Sequence, residues 1–299
     1  PGGSVTGAPK VRTMEIIREL EPHPRNLYTG ALGYLRPGGD CVFSIPIRTV
    51  LIDTRADKAL FHVGGGITHG STGEGEFEEC RVKMGFLTRA APGFRLLETI
   101  ALSHGSYRLL NRHVQRMECS ARYFGFAFAG DAVMEALEKI RRSSSAGAFR
   151  VRLLLSEQGG VEVQLFPMET AARTSPLRLG IARDPVSSAN VFLFHKTTNR
   201  SVYEDALRQC TDCDDVILVN ERGELTESTR ANLVLEIAGE KLTPPLSSGL
   251  LAGTFRQELL DSCRIREAVL LPEDLGRADH IWLINSVRAW MEAKLETGV

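Results

Sequence analysis

Residues 191–203, VFLFHKTTNRSVY, constrain this chain more than any other stretch. A run of apolar residues delivers one lysine, Lys196, into a polar Thr-Thr-Asn-Arg turn. A lone lysine is nearly always a solvated surface charge. The alternative is a desolvated, reactive amine held near neutral pKa, and that needs a fold that brings partners to it from elsewhere in the chain.

Composition says what kind of fold is available. At 299 residues and 43% hydrophobic content, the chain can bury large cores and is expected to hold two or three domains. A formal charge of −1, with Lys and Arg scattered along the chain, offers no basic field for nucleic acid. No apolar run approaches the roughly 20 residues of a membrane helix, and the N-terminus lacks a signal-peptide profile. A cytoplasmic protein without membrane attachment is the expectation. Six cysteines are too few for a disulfide scaffold and fit a reducing compartment. The CxxC spacing of Cys210 and Cys213 has no second pair or histidine cluster to complete a zinc site, so it reads as coincidence. The chain opens at Pro1 in the middle of what looks like a motif, and reads as a fragment of something longer.

In residues 1–90, PGGSVTGAPK is a glycine-rich turn leading into a helix from about Pro9, with Val11, Met14, Ile17 and Leu20 on one face. Such a helix start can hold an anion, but Ala-Pro separates Gly7 from Lys10, so it is not a Walker loop. Short β-rich runs follow at 27–35, 41–47 and 59–63, with Pro37-Gly38-Gly39 as a hairpin-type break. Gly64-Gly65-Gly66 precedes an acidic helix, GEGEFEECRVKMGFL. There Glu76 and Glu79 share a face and could ligate a hard cation, although a solvated face is the plainer reading of that pair alone.

In this order, PGGSVTGAPK, MEIIRELEP, GYL, IPIRT, GGGI and GEFEE are far more specific together than singly. The stretch resembles the C-terminal end of the chorismate-binding enzymes, most closely the large subunit of aminodeoxychorismate synthase. The resemblance implies that Arg48 and the Gly65-Gly66 backbone hold chorismate carboxylates, and that Glu76 and Glu79 contribute to a Mg²⁺ site. Where that family has DSxPExEYEE, this chain reads GSTGEGEFEE, so Gly70 and Gly73 replace an acidic residue and a proline. The family's catalytic domain is several times longer, with its other active-site residues upstream. No synthase activity is therefore expected of this stretch, and Mg²⁺ only in a complete synthase domain. Its strands would normally pair with partners outside it, which is expected to leave it poorly packed.

Ala91-Pro92-Gly93 reads as a junction. From Phe94 the pattern is strand, turn at His104-Gly105, strand, then a helix with Leu110, Val114, Met117, Ala121 and Phe124 as its buried stripe. His113, Arg116 and Ser120 fall on a different face, and pattern alone makes that face solvated. A second amphipathic helix at 131–142, strands at 149–156 and 161–166, and a polar linker at 169–175 complete a small α/β domain.

After the lysine stretch come a helix at 201–209, a strand at 215–220 and GELTESTRANLVLEI, read as strand, loop at 227–231, strand. Glu227 sits where two apolar strands meet, a costly place for a carboxylate unless something cationic faces it. Residues 249–254 open a helix running to about Ser262, a start suited to a phosphate but equally to a plain cap. A strand at 280–284 ends in Asn285-Ser286, and a last amphipathic helix closes the chain.

Together, HxxR at His113 and Arg116, the Lys-Thr-Thr-Asn-Arg block, LTExxxxN ending at Asn232, LxGTxR around Thr254 and the Asn-Ser turn resemble the fold-type-IV pyridoxal-phosphate enzymes. Residues 94–299 look most like their aminodeoxychorismate lyase branch, LLETI agreeing. The resemblance implies an α/β (α+β) fold: a chorismate-binding segment over 1–90, a small α/β domain over 91–175 and a larger pseudo-barrel domain over 176–299. It implies that Lys196 carries pyridoxal 5'-phosphate as a Schiff base and that Glu227 pairs with the pyridine nitrogen. Arg116, the Ser228-Thr229 loop and backbone N–H groups at Thr254 and Phe255 would hold the phosphate, with Gly253, Asn232 and Ser286 in the same cofactor site. Thr99 would donate a proton to the departing pyruvyl carbon.

The implied activity is a 4-amino-4-deoxychorismate lyase, giving p-aminobenzoate and pyruvate, joined to a synthase piece. Its partners would be a small-molecule substrate, a second copy in a homodimer and, for a full-length protein, a glutamine amidotransferase subunit. A transaminase of D-amino or branched-chain amino acids would use the same lysine, glutamate and phosphate residues. A non-catalytic scaffold is disfavoured, because all three positions hold chemically competent residues.

Overall fold

The computed structural model describes residues 2–88, 93–144, 146–168, 175–210 and 212–296. Two compact units divide the chain, Pro1–Ala91 and Pro92–Val299. The junction at 91–93 and the polar linker at 169–175 fall largely outside the described residues.

The first unit holds α1 (Gly3–Thr6), α2 (Lys10–Leu20), β1 (Leu32–Leu35), β2 (Cys41–Ser44), β3 (Val50–Asp53), β4 (Lys58–Phe61) and α3 (Gly73–Thr88). β1 pairs with β2 across the Pro-Gly-Gly turn, and β3 with β4. The sequence reading missed β3, a four-residue run too short to carry a period. Each hairpin is a separate two-stranded sheet. α2 buries none of its residues, and Val11, Leu20, Leu35 and Ile52 are all exposed.

The second unit begins with β5 (Leu96–Ser103), β6 (Ser106–Tyr107), α4 (Leu110–Phe124), α5 (Gly130–Ser143), β7 (Ala148–Leu155) and β8 (Val161–Pro167). The strands form an antiparallel sheet in the order β6-β5-β7-β8. Ile100, Leu102, Val151 and Leu153 from β5 and β7 pack against Met117, Ala121, Val133 and Leu137 from the helices. β5 turns into β6 through His104 and Gly105, both at positive φ.

The remaining elements are β9 (Leu177–Ile181), α6 (Ser201–Arg208), β10 (Asp215–Val219), β11 (Leu225–Ser228), β12 (Asn232–Ile237), β13 (Glu240–Thr243), α7 (Thr254–Asp261), β14 (Arg266–Glu267), α8 (Pro272–Leu275), β15 (His280–Asn285) and β16 (Ala289–Leu295). Their sheet runs β11-β10-β9-β16-β15-β12, and the pairing of Glu227 with Asn232 joins β11 back to β12. The result is a six-stranded barrel, with β13 and β14 continuing outward from β12. Leu179, Ile217, Leu233, Leu235, Leu283 and Ala293 belong to its main core cluster. This is the mixed α/β fold with a barrel that the resemblance implied.

One expectation fails here. The closing helix is a strand: β16 pairs antiparallel with β15 and parallel with β9. Ala, Met, Glu and Lys favour a helix locally, but two open strand edges outweigh that preference. Cys210 and Cys213 lie side by side between α6 and β10, with Cα atoms 5.9 Å apart. Their sulfurs lie against Gly180, where a Cβ would come 2.8 Å from Cys210 Sγ.

The strand assignment makes neighbouring positions of β16 unequal. Ala293 is 6% exposed and belongs to the barrel core, whereas Glu292 faces solvent. Ala293→Glu, which buries an unpaired charge, is expected to cost at least about 3 kcal/mol in urea unfolding, and Glu292→Ala within about 0.5 kcal/mol. Similar small losses at both positions would contradict the register.

Candidate active site

β5 passes beside the lysine stretch. Leu97 N–H donates to the Lys196 carbonyl (2.9 Å), Thr198 N–H donates to the Arg95 carbonyl (2.9 Å), and Leu96 bridges to Thr197. These bonds fix the lysine backbone to the small sheet, and the side chain is partly buried. Burial first, then the Arg116 and Arg200 guanidinium groups, pull the Lys196 pKa down to about 8, against the opposing pull of Glu98 and Glu227. Burial thus acts on Lys196 in the direction that the reactive-amine reading requires.

Glu227 lies within β11, so the loop that follows it is shorter than expected, covering 229–231. Its carboxylate is 4% exposed and accepts from Tyr203 Oη–H (2.8 Å), Leu251 N–H (3.1 Å) and Asn232 Nδ2–H (3.1 Å). Burial raises its pKa to about 7. Those hydrogen bonds and the nearby Lys196 and Arg200 pull the other way without overcoming it. Asn232 Nδ2 also donates to the Leu251 carbonyl (2.9 Å), tying β12 to the turn before α7. Gly253 packs so closely on this amide that a Cβ there would sit 1.9 Å from Asn232 Oδ1.

The HxxR face of α4 is not solvated, correcting the reading from pattern. His113 is 1% exposed, Ser120 is buried, and Arg116 is mostly covered. The cause is Glu98 on β5, which no periodicity pointed to. Arg116 donates to it from Nε (2.8 Å) and Nη2 (2.7 Å), and His113 Nδ1 lies 2.6 Å from Glu98 Oε2. Burial opposes the charge on Glu98, but Arg116 and His113 prevail and hold its pKa at about 2. Arg116 Nη1 also donates to the Ala252 carbonyl (2.9 Å), and His113 Nε2 lies 3.2 Å from Thr254 Oγ1. Of the five guanidinium N–H groups, these bonds leave two.

Thr254 and Phe255 open α7, and both are buried. The first N–H to close onto the helix is that of Gln257, donating to the Gly253 carbonyl, so the preceding N–H groups are not used within the helix. Thr99 is partly buried on β5, and Ser286 Oγ–H donates to its carbonyl (3.4 Å), bringing the Asn-Ser turn to the same strand. Ser228 and Thr229 are engaged locally. Ser228 Oγ–H donates to the Ala231 carbonyl (3.1 Å), and Thr229 Oγ1–H and N–H donate to Asp215 Oδ1 (2.6 and 3.1 Å).

The sequence reading also passed over Arg200 and Tyr203, although both stand in the lysine stretch. Arg200 donates to the Thr229 carbonyl, and its guanidinium lies 4.6 Å from the centre of the Tyr203 ring.

In the first unit, Arg48 is exposed, at φ 51. Glu76 and Glu79 do share a face and both approach Gly65, where a Cβ would meet Glu76 Oε2 at 2.6 Å, while Gly66 has open space. Glu76 accepts from Ser71 Oγ–H (2.5 Å), and Glu79 pairs with Lys83 (2.5 Å). Among the described residues no group of three or more His, Cys, Asp or Glu could hold a metal ion, and no helix is long and apolar enough to cross a membrane.

Comparison with known proteins divides the chain in two. The family described as amino-transferase class IV matches residues 95–295, and the family described as chorismate binding enzyme matches residues 1–89. A protein of Schizosaccharomyces pombe named as a candidate aminodeoxychorismate lyase is 35% identical over 202 residues, 64% of this chain and 86% of that protein. The aminodeoxychorismate synthase of Streptomyces griseus is 48% identical over 99 residues, 33% of this chain but 13% of the synthase's own length. A solved structure of a candidate amino-acid aminotransferase from Mesorhizobium loti has a TM-score of 0.65 at 35% identity, covering 68% of this chain and 100% of that one.

The contact between Gly253 and Asn232 can be tested directly. Gly253→Ala forces the amide off Glu227 and Leu251 and is expected to cost about 1–3 kcal/mol in urea unfolding. Gly276→Ala, whose Cβ would come no closer than 3.6 Å to the Glu273 carbonyl, is the control and is expected to stay within about 0.5 kcal/mol.

Proposed function

The chain belongs to the amino-transferase class IV family, and we propose that it is a pyridoxal-phosphate-dependent 4-amino-4-deoxychorismate lyase, releasing p-aminobenzoate and pyruvate. The observation that carries the reading is the joining, on one chain, of a segment similar to a lyase and a segment similar to aminodeoxychorismate synthase. A synthase makes what such a lyase consumes. The synthase-like segment spans so little of its relative that the reading assigns it no activity, and Arg48, Gly65, Gly66 and the Mg²⁺ role of Glu76 and Glu79 belong to a complete synthase domain.

Class IV folds generally imply pyridoxal phosphate, and the residues present fit it. An amine at pKa about 8 stands near a buried carboxylate at pKa about 7 whose hydrogen-bond donors are neutral. When bound, the cofactor supplies an aldehyde for amines and a protonated ring that takes up electron density. Lys196 would hold the aldehyde, and Glu227 would face the ring nitrogen and ionise as that cation arrives. Asn232 and Tyr203 orient the Glu227 carboxylate. The two remaining N–H groups of Arg116 and the first N–H groups of α7 at Thr254 and Phe255 would bind the phosphate, with Gly253 leaving room for the approach. The Ser228-Thr229 loop and Ser286 complete the pocket wall.

Chemistry at the substrate then needs two proton transfers. Lys196, as the free base, removes the proton from the amine-bearing ring carbon. The enolpyruvyl C–O bond breaks, its electron pair leaves with oxygen, and the Thr99 hydroxyl supplies the proton that turns the enolpyruvate methylene into the methyl group of pyruvate, while the proton held by Lys196 returns to the threonine oxygen so that both groups end as they began. A homodimer in the cytoplasm is the proposed state, and a glutamine amidotransferase subunit would partner a protein with a complete synthase.

The second reading is a class IV transaminase, favoured by the similarity to the aminotransferase structure. Incubation with 4-amino-4-deoxychorismate, without any keto acid, is expected to yield equimolar p-aminobenzoate and pyruvate. Lys196→Ala should lower that rate by about 10²–10⁴-fold. Conversion of bound cofactor to its amine form by amino acids, with no p-aminobenzoate formed, would establish the transaminase instead.

The Lys196 pKa gives a further expectation. Only the neutral amine adds to an aldehyde, so the rate of pyridoxal phosphate loading should rise with pH through about 8 and level off above it, followed by the absorbance of the bound form. A midpoint near the ordinary lysine value of about 10.4 would show that the amine is not desolvated.

A further inference from the structure

The pleat of β5 and β7 sorts their side chains onto two faces. Leu96, Ile100 and Leu102 on β5, with Val151, Leu153 and Leu155 on β7, pack with Met117 and Ala121 of α4 and Val133 and Leu137 of α5. Thr99 and Arg152, paired directly across the two strands, therefore share the other face. Side chains paired in this way have Cβ atoms about 5 Å apart. The same stretch of β5 meets the rest of the site. Leu97 N–H donates to the Lys196 carbonyl, and Ser286 reaches the Thr99 carbonyl.

Arg152 is partly buried in the interior of β7, yet among the described residues no hydrogen bond or ion pair engages its guanidinium group. Its charge reaches Glu162 on β8, but that carboxylate is already held by Arg95 (2.6 Å) and Gln164 (2.5 Å). Arg150, on the same face, is exposed and stacks on Phe166. A partly desolvated guanidinium with all five N–H groups unused favours a planar carboxylate, which two of them can bind at once.

We propose that Arg152 binds the carboxylate of the substrate's enolpyruvyl group and so places the methylene carbon of that group at the Thr99 hydroxyl. The inference rests on the lyase reading and on the role proposed there for Thr99. In an enolpyruvyl group the carboxylate and the methylene are attached to the same carbon, so a cation that fixes the first aims the second. The two side chains that would meet them are neighbours in the same way, as one cross-strand pair. An amino acid offers nothing in this place, because its carboxylate sits on the carbon that bears the amine and goes with it to Lys196. Arg152 thus selects the enolpyruvyl ether over amino acids.

The test is calorimetric binding, to the cofactor-loaded full chain, of two ligands that have no amine to react with the aldehyde. Chorismate keeps both the enolpyruvyl ether and the ring carboxylate, whereas shikimate keeps the ring carboxylate alone. Arg152→Met should weaken chorismate by about 10–100-fold and leave shikimate within about twofold. Arg152→Lys, which keeps the charge but not the fork, should fall between, and serves if the methionine variant does not fold. Any chorismate held by the first unit is common to all of these proteins and cancels between them. With 4-amino-4-deoxychorismate the same loss should appear in kcat/KM for p-aminobenzoate formation, with the absorbance of bound cofactor unchanged. Unaltered chorismate affinity in the variants overturns the role of Arg152 and leaves the lyase reading standing. Equal losses for chorismate and shikimate overturn it too, because the arginine would then hold the ring carboxylate, and so does a wild-type protein that binds chorismate no more tightly than shikimate. Chorismate bound through Arg152, with no p-aminobenzoate formed from the amine, supports the carboxylate site and overturns the lyase reading alone.

Discussion

The carboxylate of Glu98 is the interaction on which the second unit depends. Placing a charge at 1% exposure costs several kcal/mol unless donors surround it, and two Arg116 bonds and one from His113 do so. Those donors sit on α4, so the sheet and the helix are held in one register. The same two side chains reach on to Ala252 and Thr254, on the turn that starts α7. One buried charge thus fixes β5, α4 and α7 relative to each other, and β5 in turn holds the backbone of Lys196. Loss of Glu98 or of Arg116 would leave an uncompensated charge, which elsewhere costs about 3–5 kcal/mol.

Two buried carboxylates in this unit are driven in opposite directions. Glu98 meets a guanidinium and an imidazole and is held at about 2. Glu227 meets a phenol, an amide and a backbone N–H, and burial lifts it to about 7. The difference lies in the donors: cations stabilise the ionised form through their full charge, neutral dipoles only through their hydrogen bonds. Glu98 is therefore satisfied within the fold and has nothing to offer a ligand. Glu227 stays close to the point of ionisation, and a cation brought against it gains a strong partner in a site with little water to screen it.

Much of this was legible in the sequence, for identifiable reasons. Lys196 and Glu227 each announced themselves as a charge embedded in apolar residues, a pattern whose cost demands an explanation. Glu98 carries the same signature in LLETI, but its partners lie on another element, and a sequence without coordinates cannot say that α4 turns its HxxR face inward. Periodicity failed there because the buried arc of α4 is wider than its apolar stripe: His113 and Ser120 are buried polar residues, which a hydrophobic count assigns to solvent. β16 was misread for a related reason. Helix-favouring residues dominate AWMEAKL, and the pull of β15 and β9 on either side is non-local. The roles of Arg200 and Tyr203 needed the sheet, since the pairing of β11 with β10 brings Glu227 within reach of α6.

The first unit makes the opposite point about what sequence similarity implies. Its residues match a chorismate-binding family, yet its strands form two isolated hairpins and α2 buries nothing. A two-stranded sheet is marginal in water by itself, and exposed Leu32, Tyr34, Leu35, Val42 and Phe43 on β1 and β2 form apolar surface of the kind that other structure normally covers. Local signals such as the Pro-Gly-Gly turn and the acidic helix suffice to place these elements, because turns and helices are specified by neighbours in the chain. A binding site needs more, since its residues must be held against strands and helices that pack on them. Arg48 stands exposed and Gly66 has open space around it. Matching residues therefore carry a chemistry only where a core positions them, and in this chain that condition is met around Lys196.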